Sequence, residues 1–320
     1  MMNTYKPEGL LIGTQQNREL ISAGRAGLEK AMSAGIILEG TAILCDSELN
    51  LHVDLRGITG IIPKGEVCLV RDGESFKDIA VITRVGKPVC FKIVSIEEVN
   101  GRTVAYLSRR LAQIDCMNNY IADLIPGDVL CSRVTHLESF GAFVDVGCGI
   151  ISLLSVDCIS VSRFSHPKDR LYNGMIINTV LKSIDREKGR IFVSMRELLG
   201  TWEENAALFS PGQTVAGIIR SVESYGVFVE LTPNLAGLAE LRDDSQPFEL
   251  PCGSLAAVYI KSIIPERMKI KLVLIDSYKG DPAASELKCF VDCNSVQHIS
   301  YWRYSPLGCS KTVETVFDAE

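Results

Sequence analysis

The chain has 320 residues, with 33 basic and 39 acidic side chains and a formal charge of −6. That length holds two or three domains of ordinary size. A hydrophobic share of 47% excludes wholesale disorder, and the net acidity excludes binding nucleic acid by bulk charge, though not through a local basic groove. No run reaches the roughly 18 apolar residues of a membrane span. Met1 to Arg18 lacks a basic segment followed by a long apolar core, so no secretory signal is expected. A cytoplasmic protein without membrane contact is the expectation.

Residues 14–34 carry the pattern of one helix. Leu20, Ile21, Ala26, Leu28 and Ala31 alternate with charged positions, Thr14 is the predicted N-cap, and Gly35 ends it. Beyond Gly35 the chain turns to short Val-, Ile- and Thr-rich runs separated by Gly, Pro, Asn and Asp, an all-β pattern. Residues 199–210 interrupt it with a short helical stretch that Pro211-Gly212 stops. Eleven cysteines, none in a C-x-x-C pair, read as small buried hydrophobes of a reducing compartment.

An internal repeat organises the rest. Phe140-Gly141-Ala142-Phe143-Val144-Asp145-Val146 and Tyr225-Gly226-Val227-Phe228-Val229-Glu230-Leu231 share one pattern, 85 residues apart. Gly127 precedes Phe140 by 13 residues, and Gly212 precedes Tyr225 by 13. Downstream, Gly174 to Ser194 and Gly253 to Val273 both span 20 residues. Only the intervening loop differs, 34 residues from Phe140 to Gly174 against 28 from Tyr225 to Gly253. A weaker third copy lies upstream. Gly86 to Val94 resembles the strand after Gly174, Asn100-Gly101 predicts a hairpin turn, and the second strand falls at 50–55 without its aromatic pair. About five strands in roughly 70 residues close most naturally into an OB barrel.

The run from Pro126-Gly127 through Phe140-Gly141-Ala142-Phe143-Val144-Asp145 to Ile184-Asp185 and Gly189-Arg190-Ile191 resembles the RNA-binding repeat of bacterial ribosomal protein S1. Residues 211–276 resemble it too, with Gly237-Leu238-Ala239-Glu240-Leu241 at the third strand, and residues 35–112 do so only in their second half. The resemblance covers about two-thirds of the chain. It implies an all-β chain of tandem five-stranded OB-fold (S1-type) barrels, with an N-terminal helix and a small C-terminal β extension. The expected segments are 1–34 (helical), 35–122 (degenerate repeat), 123–198 (repeat), 199–210 (helical linker), 211–276 (repeat) and 277–320 (β extension). It also implies partners: single-stranded RNA or mRNA, and the small ribosomal subunit in translation.

OB barrels bind single strands by stacking bases on aromatics and following phosphates with cations. Strand alternation would put Phe140 and Phe143 on opposite faces. A bulge at Gly141 would bring the rings together, and the resemblance implies that they share the binding face. It carries a hairpin Asp and Arg onto Asp185 and Arg190, and a third-strand His onto Ser155 and Glu240, neither of which can stack. In the last repeat Tyr225, Phe228 and Lys269 remain, with Pro265 at the Asp position. Residues 126–197 hold nine basic and eight acidic residues, and residues 211–276 hold six and eight, which favours the earlier repeat as the main binder. The loop from Ser160 to Arg170 interleaves Arg163, Lys168 and Arg170 with Phe164 and His166. It suits a nucleic-acid rim and equally a plain solvated loop.

Aromatics at Phe290, Tyr301, Trp302 and Phe317 predict two or three strands in the tail, with Trp302 and Tyr304 buried. Cys289, Cys293, Cys309 and His298 lack the spacing of a zinc site, so no metal or cofactor is expected. Four histidines without metal spacing, and no phosphate-cradling loop or nucleophile elbow, point away from an enzyme. The competing reading is an OB-fold interaction scaffold, or a regulator of RNA processing without strong RNA affinity of its own, since the fold alone does not decide.

Overall fold

A computed structural model describes residues 5–70, 77–240, 251–278 and 287–317; Leu241 of the expected third strand and residues 279–286 of the expected tail lie outside these. Three closed five-stranded barrels follow one another in the chain. Barrel one holds β1 (Leu38–Cys45), β2 (Leu51–Asp54), β3 (Thr59–Ile62), β4 (Pro88–Val99) and β5 (Arg102–Ser108). Barrel two holds β6 (Val129–Glu138), β7 (Gly141–Asp145), β8 (Ile151–Ser155), β9 (Ile176–Asp185) and β10 (Arg190–Ser194). Barrel three holds β11 (Thr214–Glu223), β12 (Gly226–Thr232), β13 (Leu235–Ala239), β14 (Leu255–Ile264) and β15 (Lys269–Tyr278). In barrels one and three the first strand pairs antiparallel with both the second and the fourth. The third pairs parallel with the fifth, which closes the sheet and leaves no edge exposed.

Local chemistry explains the elements. Asn100 and Gly101 take φ values of 53° and 73°, the left-handed pair that a two-residue hairpin between Val99 and Arg102 requires. The expected N-terminal helix is two helices, α1 (Gln15–Ser22) and α2 (Gly24–Ser33). Gly24 adopts φ 62° and breaks the run at Ala23, while Thr14 caps α1 by accepting from the Asn17 amide. Further helices are α3 (Ile79–Ile82), α4 (Arg109–Asn119), α5 (Val156–Ile159) and α6 (Trp202–Ala206), the last opened by a Thr201–Glu204 capping box. No helix among the described residues is long and apolar enough to cross a membrane.

The chain divides into two compact units. One comprises 1–124, 131–133 and 144–152; the other comprises 125–130, 134–143 and 153–320. The division passes through barrel two. In the first unit Leu51, Val53, Phe91, Ala105 and Leu107 are fully buried at the centre of barrel one, with Leu28 and Ala31 of α2 in the same cluster. In the second unit Ile219, Val227, Val229, Val258 and Leu272 form the barrel-three core, joined by Trp302 and Tyr304 of the tail.

The tail is one two-stranded sheet, β16 (Tyr301–Arg303) against β17 (Glu314–Val316). The stretch before it is not a strand. Phe290 donates its amide to the Leu198 carbonyl, and Val291, Cys293 and Ile299 pack on Val180 and Leu198 of the barrel-two side. None of the eleven cysteines is in a disulfide; Cys90, Cys116, Cys148 and Cys158 are buried, whereas Cys131 and Cys252 are exposed.

Candidate nucleic-acid interface

Two aromatic pairs are built alike. Phe140 lies in the β6–β7 turn, 52% exposed, and Phe143 is half-buried on β7. Their ring centroids are 6.0 Å apart at 87°. Tyr225 lies in the β11–β12 turn, 60% exposed, and Phe228 is half-buried on β12, with centroids 6.2 Å apart at 89°. Strand alternation does not separate either pair, because the first ring of each is on the turn. In barrel three the register shift falls on β11, between Ile219 and Ser221, and not at Gly226. The glycine serves close approach instead. A Cβ at Gly141 would stand 2.4 Å from the Leu154 carbonyl oxygen, and one at Gly226 would stand 2.6 Å from that of Ala239.

The hairpins beside these rings differ from the expected correspondence. Asp185 faces Arg190 across β9–β10, whereas Lys269 faces Ile264 across β14–β15. The barrel-three counterpart of Asp185 is therefore Ile264, and Pro265 opens the turn. Asp185 accepts the Lys188 amide at 2.9 Å, so its carboxylate organises the turn. Arg190 and Lys269 are exposed.

Ser155 is half-buried at the start of α5 and is engaged with Asp157. Burial works to raise the Asp157 carboxyl, and hydrogen bonds led by the Ser155 hydroxyl outweigh it and hold the group below its usual value. In barrel three Tyr225, Phe228 and Lys269 line one open groove together with Arg267, Met268 and Lys271. Glu240 also lines it and pairs with Lys271 at 3.8 Å, which tempers the repulsion of phosphate that an isolated carboxylate would exert. Arg267 and Lys271 were not singled out from the sequence. Their signal was present in Arg267-Met268-Lys269-Ile270-Lys271, cations on alternate residues of a hairpin.

The loop from Ser160 to Arg170 is not a uniform cationic rim. Arg163 and Lys168 are exposed, but Arg170 is wholly buried. Its guanidinium donates two hydrogen bonds to Glu230, at 2.7 and 2.6 Å, and lies 4.8 Å from the Phe164 ring centre. A bidentate pair sealed from water cannot present Arg170 to a phosphate, so that residue leaves the candidate interface. The charge tallies mislead for the same reason, since Arg170 and Arg220 are spent on Glu230 and Asp169 within the fold.

Two further features escaped sequence reasoning. The registers Leu44↔His52 and Ser221↔Phe228 place His52 of barrel one where Phe228 stands in barrel three. His52 contacts Asp46 at 3.0 Å, a bond that heads the causes holding the Asp46 carboxyl down at about 2. In the first unit Glu8, Arg109 and Asp145 form a buried network, with Arg109 forked onto Glu8 at 2.6 and 2.9 Å. In the tail, His298 contacts Asp128 at 2.8 Å, and the Cys309 thiol donates to the Glu266 carbonyl.

Closed five-stranded barrels in tandem, each of the last two with a paired turn-and-strand aromatic, define a protein of the OB-fold class. Residues 123–196 match the family model of the S1 RNA binding domain and are a repeat of that family. Along the chain the similarity is to ribosomal S1 proteins. The small ribosomal subunit protein bS1 of Leuconostoc lactis is 30% identical over 235 residues, covering 69% of this chain and 52% of that protein. The bS1 homolog of Bacillus subtilis (strain 168) is 30% identical, covering 60% of this chain and 49% of that protein. The chain thus spans about half the length of these curated relatives. A Streptococcus pneumoniae multidomain protein with nucleic acid binding domains covers 75% of this chain at 18% identity and a TM-score of 0.24.

Proposed function

We propose that this protein binds single-stranded RNA, mRNA in particular, on barrels two and three, and acts in translation at the small ribosomal subunit. The observation that carries the reading is the duplicated aromatic pair, half exposed and edge-to-face in both barrels, with Lys269 in the same groove in barrel three and Arg190 exposed on the matching hairpin of barrel two. Stacking contributes roughly 1–3 kcal/mol per base and tolerates any base, so an acidic chain needs few cations to hold RNA. Arg163 and Lys168 extend the cationic surface of barrel two, and Arg267 and Lys271 that of barrel three. The similarity to small-subunit bS1 proteins supports the ribosomal setting, and no catalytic role is assigned.

Fluorescence anisotropy with a labelled single-stranded RNA of about twelve nucleotides, within the range of one OB fold, tests it. Wild type binds at low salt, and log affinity falls with log salt at about −0.7 per phosphate neutralised. The folded Phe140→Ala/Phe143→Ala/Tyr225→Ala/Phe228→Ala variant does not bind. Absence of wild-type binding at low salt overturns the reading and leaves the interaction scaffold.

A further inference from the structure

The second unit holds barrel three together with most of barrel two, and their junction is not a flexible linker. Three connections cross it. Arg170, on the barrel-two loop, is forked onto Glu230 at the end of the barrel-three motif, and Arg220 of β11 grips the same carboxylate at 2.8 Å. Asn234, fully buried in the β12–β13 turn, accepts the Val161 amide at 2.9 Å and donates to the carbonyls of Arg196 and Gly200, both at 3.0 Å. The tail spans both sides: Ile299 donates to the Gly127 carbonyl beneath barrel two, and Trp302 and Tyr304 lie in the barrel-three core. The six residues by which the barrel-two loop exceeds its barrel-three counterpart fall in the region that supplies Val161 and Arg170.

We propose that Arg170, Glu230, Asn234 and the tail lock barrels two and three into one rigid body, so that the two aromatic pairs hold a single RNA strand as one composite site. This rests on the RNA reading above and adds to it a fixed spacing. A buried, doubly forked carboxylate is a poor source of stability compared with apolar packing but a strong determinant of orientation, because every misaligned arrangement strands a charge. Fixed spacing gives RNA a length threshold. Below it the strand occupies one face; above it the second contact is intramolecular, at millimolar effective concentration.

Two measurements decide it on the full chain. Residual dipolar couplings of backbone amides in β9–β10 and in β11–β15, without RNA, report whether the two barrels share one alignment tensor. A common tensor is expected; independent tensors overturn the lock. Anisotropy with RNAs from about 8 to about 32 nucleotides then reports the threshold, with affinity rising about 100-fold in one step. The Arg170→Met variant leaves Glu230 its Arg220 partner. It is expected to lower that step about tenfold while binding the 8-mer as wild type does. A common tensor with no step, or a step that Arg170→Met leaves intact, overturns the composite site or Arg170's part in it. If no RNA of any length binds, the failure belongs to the RNA reading, and the tensors alone decide the lock.

Discussion

The second strands of barrels two and three repeat one seven-residue pattern, and its two ends have fared differently. At the aromatic end the copies superpose in geometry, with ring separations of 6.0 and 6.2 Å and interplanar angles of 87° and 89°. At the acidic end both carboxylates are buried but hold different partners. Asp145 collects backbone amides from Glu8, Gly147 and Gly149 at 2.7, 2.8 and 3.0 Å. Glu230, one methylene longer, takes two arginine forks. Asp54 stands at the same place in barrel one, exposed and accepting the nearby Arg56 amide. The aromatic end faces outward in both copies, so nothing in the fold pulls the two geometries apart. The acidic end faces whatever the chain brings against it, so each copy has a different fastening.

The largest expected effect tests the acidic end. Glu230→Ala strands the buried Arg170 guanidinium, leaves Arg220 with Asp169, and should cost about 3–5 kcal/mol in urea denaturation. Asp145→Ala, which orphans amides rather than charges, should cost about 3 kcal/mol, and Asp54→Ala within about 0.5 kcal/mol. Equal losses at all three would break the comparison. Next comes the aromatic end. Phe140→Ala/Phe143→Ala and Tyr225→Ala/Phe228→Ala should each weaken RNA binding by about 1–3 kcal/mol per unstacked base, at similar magnitude. A large asymmetry in anisotropy titrations would show that matched rings do not mean matched faces.

Charge tuning is smaller. Glu240→Gln releases Lys271 toward phosphate, so affinity should rise about twofold at low salt and the salt slope steepen by about 0.7. The smallest effect concerns barrel one. Hydrogen bonding to His52 and the Asn50 amide holds Asp46 at about 2, against a usual 3.8. The ionised form is therefore favoured in the fold; the associated stability is present above pH 3.8 and is lost as pH falls through about 2. His52→Ala should move the Asp46 carboxyl titration upward, read by carbon NMR, without reaching 3.8 because the backbone donors remain.

Much of this architecture was legible in the residues. The 13- and 20-residue spacings located both complete barrels, and Asn100-Gly101 placed the barrel-one hairpin at its observed turn. The aromatic pairs were legible as well, although the reason that they meet is the turn position of Phe140 and Tyr225, not a bulge. Arg170 was not legible. Its neighbours Arg163, Phe164 and Lys168 make a basic, aromatic string, and only Glu230, sixty residues later, turns it inward. The Asp position of barrel three was read at Pro265, one residue past Ile264, because hairpin register is set by cross-strand hydrogen bonds, which spacing alone does not count.

By itself the sequence determined what local period and duplicated spacing can encode: β barrels in tandem, their turns, and the rings displayed on them. Tertiary structure alone decided which charges are spent in the interior, where the tail lies, and how barrel two is held to barrel three. The physical reason is range. Strand pattern and turn chemistry act over a few residues, whereas the burial of a charge depends on a partner that only the folded chain brings within hydrogen-bond distance.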